Sequence, residues 1–171
     1  MDSDMNMTTA TGARALMKAC QENFKAIVER DGYLWPVAMV IARKNPVNGL
    51  IFQKPVAIPA QPDTFDDETK DAYFRSVRRF AAEMDSPGVI FACSAVDEDI
   101  IGTDQQALAR APGISSKIYV LLEHVTGTEV WEAPVAIDPD GRRLVGQYQE
   151  VSKAKAFSKS RSLLPPQAWL N

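Results

Sequence analysis

The apolar positions of this chain change period several times along its length, and each change marks an element. From Thr11, Leu16, Cys20, Phe24, Ile27 and Val28 fall on one helical stripe, with Lys18, Glu22, Lys25 and Glu29 outside it. The pattern predicts an amphipathic helix that stops at Asp31-Gly32, since glycine takes the left-handed conformation that ends helices. A second stripe runs through Tyr73, Val77, Phe80, Ala81 and Met84. Thr64 and Asp67 have capping-box spacing, and Asp66, Asp67 and Glu68 fill a first turn where the helix dipole favours negative charge. Asp71 stands one turn before Arg75, a spacing that allows an ion pair. Pro87-Gly88 ends this second helix.

Between and after the helices the period falls to two. Pro36–Ala42 and Leu50–Ala57 read as strands, joined through a stretch containing the turn-forming pair Asn48-Gly49. Val89–Val96 is apolar on both faces, which predicts a central strand covered on both sides or buried on one side at an interface. Thr103 and Gln106 again have capping-box spacing, so a short helix to Ala111 is expected before Pro112-Gly113. Lys117–Val125, Glu129–Ile137 and Arg142–Val151 then read as a β-meander, turned at Thr126-Gly127-Thr128 and at Asp138-Pro139-Asp140-Gly141. Trp131, Ala133, Val135 and Ile137 share one face of the middle strand. Pro134 removes one ladder bond there, which places a bulge or an edge at that point.

The resulting order is α-β-β-α-β-(α)-β-β-β. It predicts a single α+β domain, with a mostly antiparallel sheet of about six strands packed by two amphipathic helices. The domain is expected over residues 1–151, with 1–10 as a frayed lead-in and 152–171 as a tail. Pro36-Val37-Ala38 opens the first strand, and the 89–96 run ends in small residues. In these two pieces the layout resembles small uncharacterised bacterial and phage-associated α+β proteins, across roughly residues 16–96. That resemblance implies no activity.

Length and composition fit this picture. The chain has 171 residues, of which 46% are hydrophobic and 24% charged, as in an ordinary globular domain. The net charge of −3 argues against a dedicated nucleic-acid binder, which needs many cations facing phosphates. Cys20 and Cys93 are too few for a disulfide framework or a zinc site and fit a reducing compartment. Asp2 and Asp4 stand where a secretory leader needs positive charge, and no apolar run is long enough to span a membrane, so a cytoplasmic location is the expectation.

Candidate chemistry is sparse. His124 is the sole histidine, and it shares a strand face with Ile118, Val120 and Leu122, while Glu123 points the other way. It forms a catalytic dyad with Cys93 if their strands bring the two together; otherwise it is a strand-end histidine bonded to backbone. Asp97, Glu98, Asp99 and Asp104 follow an apolar strand and supply oxygen ligands of the kind that hold Mg²⁺ or Ca²⁺, yet without a coordinating spacing. Asp138 and Asp140 read as a turn and not as a calcium cage. Arg75, Arg78 and Arg79 either face phosphate or form the wet side of a helix, and the chain has no glycine-rich phosphate loop. No cofactor is implied.

The tail is the most unusual segment. Phe157, Leu163, Leu164, Trp169 and Leu170 are set among Lys153, Lys155, Lys159 and Arg161, and no acid follows Glu150. Three readings follow, in order: a strap packed on the chain's own body, a motif that docks on a partner, and a basic, aromatic strip for single-stranded nucleic acid. The sequence favours a non-catalytic interaction or regulatory accessory protein that binds itself or a protein partner. A small hydrolase-like enzyme using Cys93 and His124, and a nucleic-acid accessory protein using the tail, are the alternatives.

Overall fold

The computed structural model describes residues 6–44, 51–60, 67–96, 116–151 and 163–164. Two helices, α1 (Ala10–Asp31) and α2 (Asp67–Glu83), accompany seven strands: β1 (Val37–Lys44), β2 (Ile51–Pro59), β3 (Gly88–Val96), β4 (Ser116–His124), β5 (Gly127–Ile137), β6 (Arg143–Val145) and β7 (Gln149–Val151). They form one antiparallel sheet in the order β2-β1-β3-β4-β5-β6, with β7 also paired to β5. The expected α+β class and element order hold. The Thr64 cap, the Asn48-Gly49 turn and the short helix near 103–111 lie outside the described residues.

Each helix covers a different face of the sheet, so the domain has three layers. α1 carries Met17, Cys20, Phe24 and Val28 onto Ile90, Ala92, Ile118, Val120 and Leu122. α2 carries Tyr73, Phe74, Val77 and Ala81 onto Ala38, Val40, Val89, Phe91 and Leu121. This explains why β3 is apolar on both faces: Val89, Ile90, Phe91 and Ala92 are all buried. The Tyr73 hydroxyl donates to the Ile58 carbonyl at 2.6 Å, fixing α2 to β2, and Phe74 meets Phe91 edge-on at 5.2 Å.

The helix ends have local causes. α1 starts one residue before Thr11, because the Thr9 side chain accepts the Gly12 N–H at 3.0 Å. Asn6 through Thr9 build that cap, so the described part of the expected lead-in is ordered by it. Gly32 closes α1 with φ +81°, and its N–H donates to the Val28 carbonyl at 2.8 Å. The Arg143 guanidinium lies beside Gly32, but it is the end of a flexible side chain, so the positive φ is what calls for glycine there. At the end of α2 a turn through Asp85, with φ +49°, precedes Pro87-Gly88. Among the described residues, no ion pair joins Asp71 to Arg75; the pair one turn apart on α2 is Arg79–Glu83 at 3.3 Å.

The meander differs from expectation at one place. Its third strand is broken into β6 and β7, and the break lies opposite Pro134. Pro134 has no N–H to give, but its carbonyl accepts the Gly146 N–H at 2.8 Å. A side chain at Gly146 would start 2.9 Å from the Pro134 ring, so the proline and glycine approach each other closely. The irregularity expected within the middle strand appears as a break in its neighbour.

Candidate functional site

The register separates Cys93 from His124. Gly88 pairs with His124, whereas Cys93 pairs with Tyr119. Five register steps set the two residues roughly 17 Å apart along the strands. They also face opposite ways: His124 shares the α1 side with Val120 and Leu122, and Cys93 lies on the α2 side with Phe91 and Leu121. A Cys93–His124 dyad is therefore excluded by geometry. Cys93 is half-buried, and burial pushes its thiol up to about 12, away from nucleophilic use.

His124 is held as a structural residue. Its Nδ1 accepts the Thr126 N–H at 3.2 Å, which leaves the hydrogen on Nε2, and Nε2 donates to the Thr8 carbonyl at 3.0 Å. The ring thereby ties the end of β4 to the turn that caps α1. It borders a polar notch in which Arg14 binds Glu129 through Nε at 3.0 Å to both carboxylate oxygens. Both charges of that pair are matched to each other.

The outer face of α2 is mixed in sign. Arg75 and Arg79 are exposed and Arg78 is half-buried, but Glu68 and Asp71 stand in the same shallow notch as Arg75 and Arg78. A phosphate entering there meets carboxylates as well as guanidinium groups, so the set reads as a solvated helix face. Asp138 forms a turn: its carboxylate accepts the N–H groups of Asp140 and Arg142 at 3.0 and 2.8 Å. Asp97, Glu98, Asp99, Asp104, Lys153, Lys155, Phe157, Lys159, Arg161, Trp169 and Leu170 lie outside the described residues. Among the described residues, no three His, Cys, Asp or Glu side chains group as metal ligands.

Leu163 and Leu164 are not free for a partner; both are buried in the α2-side core. Their backbone N–H groups donate to the two oxygens of Glu123, at 2.7 Å from Leu163 and 3.4 Å from Leu164. Glu123 is itself 2% exposed, so its carboxylate needs such donors. Burying a leucine side chain is worth about 1.5–3 kcal/mol. Ordering its backbone costs about 1–2 kcal/mol and its side chain about 0.5–1 kcal/mol. The two effects are of similar size, and the carboxylate bonds add to the burial.

The surface that the sequence did not mark is apolar. α1 packs over β3, β4 and β6 and leaves the same face of β1 and β2 partly open. There Val37, Met39 and Pro55 are half-buried, and Ala57 and Pro59 are exposed. Beside them the α1–β1 link forms the wall of a cleft of about 620 Å³, with Ile27, Tyr33 and Trp35 among its lining. Trp35 is 39% exposed and stacks edge-on against Tyr33 at 5.4 Å. These five strand residues are uncharged, and the exposed Asp31 also lines the cleft beside them. The available signal was the run Tyr33-Leu34-Trp35, which is aromatic and apolar outside any strand or helix stripe.

Among the described residues, both edges of the sheet resist strand addition. The Ala60 N–H donates to the Pro36 carbonyl, so alternation turns the backbone polar groups of Ile58 and Val56 toward β1 and those of Pro59, Ala57 and Pro55 away from it, in the plane of the sheet. Of those three outward residues only Ala57 has an N–H. The opposite edge consists of the short, interrupted pieces β6 and β7. Proline and short strands are both means by which edges avoid pairing. No family model, curated protein or solved structure matches this chain. No helix among the described residues is long and apolar enough to cross a membrane.

Proposed function

We propose that this chain is a non-catalytic interaction protein whose contact surface is the open, α1-side face of β1–β2, with Trp35 at its rim. The carrying observation is the exposed Trp35 beside a concave apolar surface, in a sheet whose edges are blunted. Exposed aromatic side chains beside apolar surface are enriched at protein contacts. The separation of Cys93 from His124 removes the support for an enzyme built on them. The occupant we assign is a second copy of this chain. The described outward residues of the strand surface are uncharged and the Asp31 carboxylate beside the cleft is paired with Arg30, so an identical face meets no unmatched like charge there.

The test is sedimentation of the native chain and of Trp35→Asp over a range of concentrations. The reading expects concentration-dependent dimers of the native chain and monomers of the folded variant. A monomeric native chain removes the second copy as occupant. Capture from nuclease-treated lysate then tests a different protein, and retention of the same proteins by both chains removes this face altogether.

A further inference from the structure

Trp35 is a knob beside a hole. Its neighbours in sequence, Leu34 and Pro36, are both buried, and its ring rests edge-on against the buried Tyr33. A residue that precedes proline is also restricted to extended backbone. The side chain is thus held from several sides while it stays exposed, and an anchor held in place loses little freedom on binding. The cleft next to it, of about 620 Å³, has apolar walls from Phe24, Ile27 and Met39. A cleft of that size takes a drug-sized ligand, so it has room for one indole.

We infer that the Trp35 side chain of each copy fills the cleft of the other, which rests on the proposal that the β1–β2 face joins two copies and names what holds them. Knob and hole lie on one surface. A two-fold contact requires this, because residue i of one copy then meets residue j of the other, and j meets i. The chemistry also matches. An indole N–H needs an acceptor once it is buried, and Asp31 brings a carboxylate to the cleft. Arg30 bonds both carboxylate oxygens at 2.8 Å, but such an oxygen accepts more than one hydrogen bond. The ion pair therefore stays intact while Asp31 receives the indole of the second copy. Asp31 is then the residue that selects tryptophan over a ring without an N–H, since such a ring leaves the desolvated carboxylate short of a donor.

The experiment is sedimentation of two full-length variants, alone and mixed, beside the native chain. Trp35→Ala removes the knob and keeps the hole, whereas Ile27→Tyr fills the hole and keeps the knob. Each alone is expected to associate at least ten-fold more weakly than the native chain. Labelled Trp35→Ala mixed with Ile27→Tyr is expected to form mixed dimers. These should be weaker than the native dimer but several-fold tighter than either variant alone, because the mixed pair allows one of the two insertions. A native chain that stays monomeric overturns the insertion together with the proposed contact face. A dimeric native chain whose variants gain nothing on mixing overturns the insertion alone. If either variant fails to fold, Trp35→Phe and Asp31→Ala decide. Each is expected to weaken the dimer several-fold, and the double variant no further, because both remove the same bond. Single effects that multiply in the double variant show that the two residues do not meet, and overturn the insertion.

Discussion

The Ser94 hydroxyl accepts the Leu34 N–H at 2.8 Å, and the Leu34 carbonyl accepts the Ser94 N–H at 2.9 Å. This two-way bond fastens the α1–β1 link to the far end of β3. Trp35 follows Leu34 directly, so the bond also fixes the rim of the open face. Ser94→Ala leaves the buried Leu34 N–H without that acceptor, at a cost of about 1–3 kcal/mol. The expected outcome is a lower urea midpoint with an unchanged slope, together with weaker self-association.

Cys93 tests the loss of the dyad. Its thiol stays protonated in the folded chain up to about 12, against an ordinary value of 9.0. Between those pH values the unfolded chain binds fewer protons than the folded one. Cys93 therefore contributes stability that is complete below pH 9.0, and it is lost as pH rises toward about 12. Tyr73, Tyr119 and Tyr148 are also raised by burial and act in the same direction. Cys93→Ala is expected to make the alkaline fall in unfolding free energy shallower. At neutral pH, iodoacetamide is expected to label Cys93 in urea and to spare it in the native chain.

His124→Ala removes the bond to the Thr8 carbonyl and the acceptor for the Thr126 N–H. The expected loss is about 1–3 kcal/mol, from two net hydrogen bonds of about 0.5–1.5 kcal/mol each. Amide exchange should quicken in the first turn of α1, while sedimentation stays as in the native chain. Unchanged exchange in that turn would contradict the role of His124 as the fastening of the cap.

Pro55 and Pro59 guard the β2 edge. The double variant Pro55→Thr and Pro59→Thr restores two outward N–H groups and adds residues that favour strands. Light scattering is expected to show new, open-ended association. The secondary structure measured by circular dichroism should be retained.

The local rules carried most of the fold. The helix stripes and strand alternation placed the described elements within a few residues, except that β6 and β7 were read as one strand, and the Asp138 turn formed as its residues require. What they could not convey was spatial assignment. Periodicity shows which stripe of a helix is buried, but not which face of the sheet receives it, and α1 and α2 went to opposite faces. The site depended on that assignment. Alternation correctly set Glu123 and His124 on opposite faces, yet only the register showed that Cys93 lies with Glu123. Glu123 within an apolar strand was itself a signal of a buried carboxylate awaiting donors, which came from Leu163 and Leu164, 40 and 41 residues further along the chain.

β1 and β3 share four paired positions, Val37 to Val40 with Ala92 to Val89, whereas β3 and β4 pair along their whole length from Gly88 to Val96. The sheet is thus two long ladders, β2–β1 and β3–β4–β5, joined by a short seam. Each ladder closes between neighbours in sequence, but the seam must wait for the crossover through α2. Native-state hydrogen exchange should resolve two cooperative units that part along this line before the whole domain opens. The Ser94–Leu34 bond crosses the same line, so the unit that opens first takes the binding face with it.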